Sequence, residues 1–253
     1  FTSLEDDSVS LSTMKASRYY SSFEAKIDQW ESTLSCISEV VDILLTVQRK
    51  WLYLESIFMA AGDINKQLPE EHALFITVND DFKTLMSDAH TDPHAKRVCC
   101  ENPNTLKNIN NMDQKLETIQ KSLDQYLEMK RMKFPRFYFV SDDDLLEILG
   151  KSKEPMQVQK HVKKCFEGIQ SMLVIAPGEL KPANRAYLAK GAKSPDGETL
   201  DFVNNVPLEG QVELWLVGIL KAMKLGVQKA LSEAIQAFRG KNKEEWVKNW
   251  HGQ

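Results

Sequence analysis

Between residues 15 and 61 the chain carries neither glycine nor proline, and its apolar side chains return at intervals of four and three. Phe23, Ile27, Trp30, Leu34, Ile37, Val41, Leu44 and Trp51 keep this spacing, with one gap at Gln48. A strand would alternate with period two, whereas this rhythm winds one apolar stripe down a helix. One long helix, or two with a kink, is therefore expected up to Gly62, with Trp30, Trp51, Leu54 and Phe58 in the core. The same spacing recurs without a miss in Ile109, Met112, Leu116, Ile119, Leu123 and Tyr126. It predicts a second helix over 105–133, with Leu123 in its core, reaching on the order of 40 Å at about 1.5 Å per residue. Two such helices point to an elongated bundle. An ordinary core helix is the simpler reading of the second stripe, and an intermolecular coiled coil is the alternative.

Signals elsewhere divide the remainder. Residues 1–14 are polar and Ser-rich, with little to bury, and read as a poorly ordered lead-in. Leu68-Pro69-Glu70-Glu71 looks like a helix start, since proline suits the first helical position and acids suit the positive end of the dipole. Residues 88–104 hold two prolines and little periodicity, and read as a loop. Phe134-Pro135-Arg136-Phe137-Tyr138-Phe139 interrupts the helical pattern, because proline forbids continued helix and four aromatics would anchor a new path. Phe134, Pro135, Phe137, Tyr138 and Phe139 are thus a structural junction first and a hinge boundary second. Further helices are expected at 155–173 and about 210–238, the latter with Trp215 in its core. Between them, Leu173-Val174-Ile175 and Thr199-Leu200-Asp201-Phe202 read as short strands around a turn at Ser194-Pro195-Asp196-Gly197. Trp246 and Trp250 read as further anchors between helices. The expected fold is mainly α, an elongated multi-helix bundle with a small β-hairpin insert. Its expected divisions are 1–14, a long-helix bundle at 15–133, and a second helical body at 134–253 with the insert near 173–207.

Chemistry is sparse. Gly150-Lys151-Ser152 ends like a phosphate-binding loop, but such a loop needs an earlier glycine five positions back, a strand before it and a helix after it. Position 145 is leucine, and the triplet follows Ser141-Asp142-Asp143-Asp144, the N-cap and acidic first turn of a short helix. Gly150 reads as a glycine just past that helix's end. His90, Asp92, His94, Cys99 and Cys100 have metal-ligand chemistry, yet the adjacent thiols suit a tetrahedral site poorly, and a surface loop is the simpler reading. Asp142–Asp144 could face a cation and Lys160-His161-Val162-Lys163-Lys164 a phosphate, and each is more simply a solvated helix face. No catalytic, cofactor-binding or metal residue is assigned.

With 32 basic and 36 acidic residues the net charge is −4, which offers nucleic acid no general attraction. No apolar run is long enough for a membrane helix. Four cysteines without framework spacing read as reduced, intracellular thiols. Phe1 in place of an initiator methionine reads as the start of an excised fragment. Physics alone ends at a non-catalytic helical domain with a β-insert.

Longer strings go further. "VQRKWLYLESIF" (47–58), "DINKQLPEE" (63–71) and "KSLDQYLEMKRMKFPRFYFVSDDDLLEILG" (121–150) closely resemble the linker of dynein heavy chains. So do "VQKHVKKCFEGI" (158–169) and "LEGQVELWLVGIL" (208–220), and the likeness covers most of residues 30–250. "CCENPNTLKNIN" (99–110) resembles axonemal chains more than cytoplasmic ones, and among them outer-arm chains. The resemblance implies an arch of helical bundles lying across a ring of six AAA+ modules in the same heavy chain. ATP binding and hydrolysis in the ring switch that arch between bent and straight forms, and its swing is the power stroke along a microtubule. It also implies a place in the ciliary or flagellar axoneme and partners among the dynein complex subunits. ATP and magnesium would belong to the ring, and microtubule contact to a stalk that this chain lacks. The hairpin tip Ser194–Gly197 would touch the ring. Nucleic acid and membrane are not expected partners, and a helical scaffold that binds another protein is the alternative function.

Overall fold

In the computed structural model, residues 2–59, 64–179, 186–239 and 242–249 are described. The helices are α1 (Thr2–Lys15), α2 (Glu24–Phe58), α3 (Ile64–Gln67), α4 (Pro69–Thr91), α5 (Thr105–Lys133), α6 (Asp142–Gly150), α7 (Pro155–Val158), α8 (Val162–Cys165), α9 (Val212–Phe238) and α10 (Lys243–Asn249). Strands β1 (Ser171–Ile175), β2 (Leu188–Lys193) and β3 (Thr199–Pro207) form one antiparallel sheet in the order β1-β2-β3. The protein is therefore mainly α with a small β-insert. Two compact units divide it, Phe1–Ala61 with Asn65–Leu123, and Gly62–Ile64 with Asp124–Gln253. The expected division at 133/134 gives way to one inside α5.

The first unit is a helical bundle. α2 starts at Glu24 rather than near residue 15, because a 3-10 turn at Tyr20–Ser22 intervenes. Its most buried residues are Val40, Val47, Leu54 and Phe58, so the stripe is centred one position before the expected Val41-Leu44-Trp51 line. Those three are half-buried flanks. The 4-3 spacing marks a broad face, and neighbours decide where its centre lies. Pro69 opens α4 as expected. α4 packs back on α2 through Trp51 against Phe82 (4.9 Å between centroids) and Phe58 against Phe75 (5.6 Å). Lys50 and Asp113 join α2 to α5 at 2.8 Å. Every stripe residue expected in α5, Leu123 included, is buried. Each fully buried Leu or Ile contributes ~1.5–3 kcal/mol over its exposed state.

Three expectations in this unit are corrected. The lead-in is helical: Ser8, Ser10, Ser12 and Thr13 hydroxyls donate to carbonyls four residues back, and Lys15 pairs with Asp28 and Glu31 of α2. α1 buries none of its residues, but a helix needs no core when a neighbour holds one end. Trp30 is not core; it is 53% exposed, lining an apolar cleft of 530 Å³ with Leu11, Met14, Tyr20 and Phe23. The 88–104 stretch is not all loop, because α4 runs to Thr91 and a π-helical turn occupies Arg97–Glu101.

The second unit lays α9 across β3 and β2 of the sheet. Gly226 permits the close approach, since a Cβ there would stand 2.9 Å from the Asp201 carbonyl oxygen. β1 pairs with β2 from Ser171↔Lys193 to Ile175↔Leu188, and β2 with β3 from Lys193↔Thr199 to Leu188↔Pro207, each ladder with one irregularity. β2 was not foreseen, because Leu-Ala-Lys-Gly-Ala-Lys lacks the β-branched and aromatic residues that mark strands. The expected helix at 155–173 is short pieces instead. Val158, Val162, Cys165, Ile169 and Met172 are all buried, but Phe166 turns extended and the Gln170 N–H donates to Lys193 O in the sheet. Sheet pairing takes the backbone groups that a helix would have used. Trp215 is buried as expected, and Trp246 caps α9 by donating from Nε1 to Ala234 O at 2.9 Å. Trp250 lies outside the described residues. Among the described residues no helix is long and apolar enough to cross a membrane.

Candidate functional site

α5 ends where Phe134 turns extended (φ −134°, ψ 90°) and Pro135 opens a 3-10 turn to Phe139. The six-residue aromatic run then divides. Phe134 and Phe137 are buried edge-to-face at 4.9 Å, and Phe166 lies 5.9 Å from Phe134. Arg136 stacks over Phe166 at 5.0 Å and donates from Nη1 to Cys165 O at 3.1 Å. Tyr138 and Phe139, expected as anchors, are exposed by 54% and 80%. The Tyr138 hydroxyl donates to Glu128 Oε1, while the Phe139 ring is open to solvent. A 3-10 turn brings only every third residue to one side, so two of the four aromatics reach the core and the others cannot follow.

The hairpin tip forms as the sequence indicates. Ser194 N donates to Glu198 O at 2.9 Å, Gly197 N to Ser194 O at 3.2 Å, and Glu198 N to Ser194 Oγ at 3.1 Å. Gly197 has φ 91°, a conformation that disfavours any side chain. Pro195, Asp196 and Gly197 are exposed.

Junction and tip, which the sequence treats as separate features, meet at one place. Phe139 and Pro195 both line a cleft of 860 Å³ whose walls include Arg136, Lys163, Lys164, Glu167 and Ile169. Three cations and one carboxylate thus surround an outward-facing aromatic ring. Lys164 is engaged with Asp144 at 2.6 Å, and Arg136 with the Cys165 carbonyl. Lys163 lies among the exposed wall residues. The Cys165 thiol, also on the wall, is pushed up to about 11 by burial, so it stays protonated and is a poor nucleophile. The cleft offers charge complementarity and an apolar foothold, which suits docking of an acidic surface.

Two charged clusters lie nearby. α6 begins at Ser141, whose Oγ accepts from the Asp144 N–H at 3.4 Å, as the sequence indicates. Gly150, in contrast, is the last residue of α6 and not a left-handed glycine beyond it; its φ is not positive. The helix stops because Lys151 leaves helical geometry and Pro155 opens the next turn. Gly150-Lys151-Ser152 therefore stands at the C-terminal end of a helix, where carbonyls and not N–H groups are exposed. Asp144 and Glu147 are held below the usual carboxylate range, chiefly by hydrogen bonds from Lys164 and Lys151 respectively. The second cluster escaped the sequence reading: Lys130 Nζ lies 2.6 Å from Glu213 Oε1, and both side chains are buried. Lys130 comes at the last turn of α5 and Glu213 in the first turn of α9, so 83 residues separate them and no local signal links them.

Comparison with known proteins now bears on the chain. The family described as "Dynein heavy chain, N-terminal region 2" matches residues 1–234. "Dynein-1-beta heavy chain, flagellar inner arm I1 complex" of Chlamydomonas reinhardtii is 48% identical over 253 residues, covering 100% of this chain and 6% of that protein. "Dynein axonemal heavy chain 2" of Mus musculus is 47% identical over 256 residues, with 100% and 6% covered. "Dynein axonemal heavy chain 10" of Homo sapiens is 40% identical over 251 residues, with 99% and 5% covered. The chain thus spans about 6% of the length of such relatives.

Proposed function

The chain belongs to the dynein heavy chain family, and on that premise we propose that it is a mechanical linker segment of an axonemal heavy chain, without a catalytic site of its own. In this reading it passes ATP-driven changes of an AAA+ ring to the power stroke on a microtubule, in the axoneme of a cilium or flagellum. The observation that carries it is likeness over the whole chain to a small portion of proteins named as flagellar or axonemal heavy chains. The architecture supports it. α2 alone is 35 residues, about 50 Å of helix at ~1.5 Å per residue, and buried stripes stiffen such a rod. The outer-arm expectation draws no support from these relatives. Of the three relatives named above, one has an arm in its name, an inner arm, and an inner-arm chain is the reading we prefer.

Within that function the cleft between Phe139 and Pro195 is the contact surface for the rest of the motor. A contact made in one linker conformation alone shifts the bent–straight balance by its own differential energy and no more. The ring of the same heavy chain is its expected partner, and nucleotide belongs to that ring. Deleting Ser194–Gly197 from a complete heavy chain tests this. Nucleotide binding by the ring should survive, while gliding speed or the coupling of ATP turnover to movement changes. Gliding and ATPase rates both equal to the unmodified motor would remove the tip from the mechanism. A second reading, a scaffold that binds an unrelated protein, is favoured by the exposed apolar face of α9; binding of the chain to ring modules or to other partners separates the two.

A further inference from the structure

We propose that His161 and Asp144, with Glu147 fixing the imidazole from its other nitrogen, form a binding site for one divalent first-row metal ion, with zinc the best match to an imidazole and a carboxylate. Asp144 and Glu147 are three residues apart on α6, so they share one helix face. His161 ends the 3-10 turn Gln159–His161 and points at that face. One ligand atom from each of the three lies within 4.8 Å of the others. The decisive feature is the imidazole. His161 is only 7% exposed, and its Nδ1 is buried without a hydrogen-bond partner.

That nitrogen is not merely idle. Nε2 stands 3.2 Å from Glu147 Oε2 and Nδ1 stands 3.4 Å from Asp144 Oδ1. With the ring proton on Nε2, directed to Glu147, the Nδ1 lone pair faces a carboxylate oxygen. Two acceptors in that arrangement repel unless a cation lies between them. Metal-bound histidines regularly donate their second ring N–H to a carboxylate, which fixes the tautomer and the ring plane. Glu147 occupies that position. Zinc bonds of ~2.0–2.2 Å in tetrahedral geometry set ligand atoms about 3.3 Å apart, and His161 Nδ1 stands 3.4 Å from Asp144 Oδ1.

The surroundings favour this placement. Lys164 holds Asp144 by Oδ2 and Lys151 holds Glu147 by Oε1, both at 2.6 Å, while the Ser141 hydroxyl donates to Asp144 Oδ2. The outer oxygens are thus taken, and Oδ1 and Oε2 are left facing the ring. The two ammonium groups offset the two carboxylates, so an ion would gain little from net charge. Affinity should therefore be weaker than that of closed structural sites.

The test uses the 253-residue chain without an affinity tag, stripped with a chelator and dialysed against zinc chloride near neutral pH. One zinc per chain is expected, with a higher melting temperature in zinc. His161→Ala and Asp144→Asn should each weaken binding at least tenfold, and Glu147→Gln by roughly ten- to a hundredfold. If His161→Ala does not fold, as circular dichroism will show, the two carboxylate variants decide, since both side chains are partly exposed. No binding at millimolar zinc, or binding that none of these variants weakens, overturns the proposal. So does a pH-dependent shift in stability at these residues that zinc leaves unchanged, which would assign the gap to a proton.

Discussion

α5 and α9 are near-equals in sequence, at 29 and 27 residues, each with an apolar stripe on 4-3 spacing. In α5 the stripe is buried from Ile109 to Leu127. In α9 it is buried only through its first half, at Val212, Leu216 and Ile219. Beyond Gly226, Val227, Leu231, Ile235 and Phe238 are each about half exposed, although they continue the same helical face and its neighbours. The difference teaches what periodicity measures. It states which side chains share a face, and it does not state whether anything covers that face. Sheet strand β3 covers the earlier part of α9, and among the described residues α10 touches its far end through Trp246 against Phe238.

The largest expected effect falls where the two helices meet. Lys130→Met leaves the buried Glu213 carboxylate facing the more distant and exposed Lys133 ammonium at 3.6 Å, and should cost up to about 3–5 kcal/mol. Lys130→Met combined with Glu213→Leu should recover most of that loss, because an apolar pair of similar volume often replaces a buried ion pair without penalty. Denaturant midpoints of the single and double variants check it. A double variant no more stable than the single would mean that the pair does more than cancel its own desolvation.

Leu123→Ala comes next. It removes a side chain with no exposure from the α5 stripe and should cost about 2–5 kcal/mol, read as a lower melting temperature. An unchanged melting temperature would break the comparison from the α5 side. Leu231→Ala is its counterpart in α9 and the smallest effect, within about 0.5 kcal/mol, because the residue is 57% exposed. A loss in the range of Leu123→Ala would show that the far half of α9 is covered in solution, and would break the comparison from the other side.

The same division runs through the candidate sites. The turn at Ser194–Gly197 was legible because proline and glycine set backbone angles by themselves, and Ser141 was legible as a cap because its hydroxyl acts within one turn. The aromatic junction was legible as a break, yet not which rings would be buried: Phe134 and Phe137 go in, Tyr138 and Phe139 stay out. That Phe139 would share a cleft with Pro195 could not be read, since they are 56 positions apart and the folded sheet closes the distance. His161 looked like part of a solvated basic run, and its place between two carboxylates depends on where α6 and the following turns pack.

Residues acting within about one helical turn therefore determined the long helices α2 and α5, the proline start of α4, the cap of α6 and the hairpin turn, because torsional preference and apolar spacing are local properties. The longer strings determined the family in the same way, being carried by the order of residues itself. Tertiary structure alone decided the centre of the α2 stripe, the exposure of Trp30 and of the far half of α9, and the break-up of the helix expected at 155–173. It alone decided the existence of β2 and the pairing of Lys130 with Glu213. Each of these depends on what a distant segment places against the residue, and the free energy of burial belongs to both surfaces, of which the local sequence specifies one.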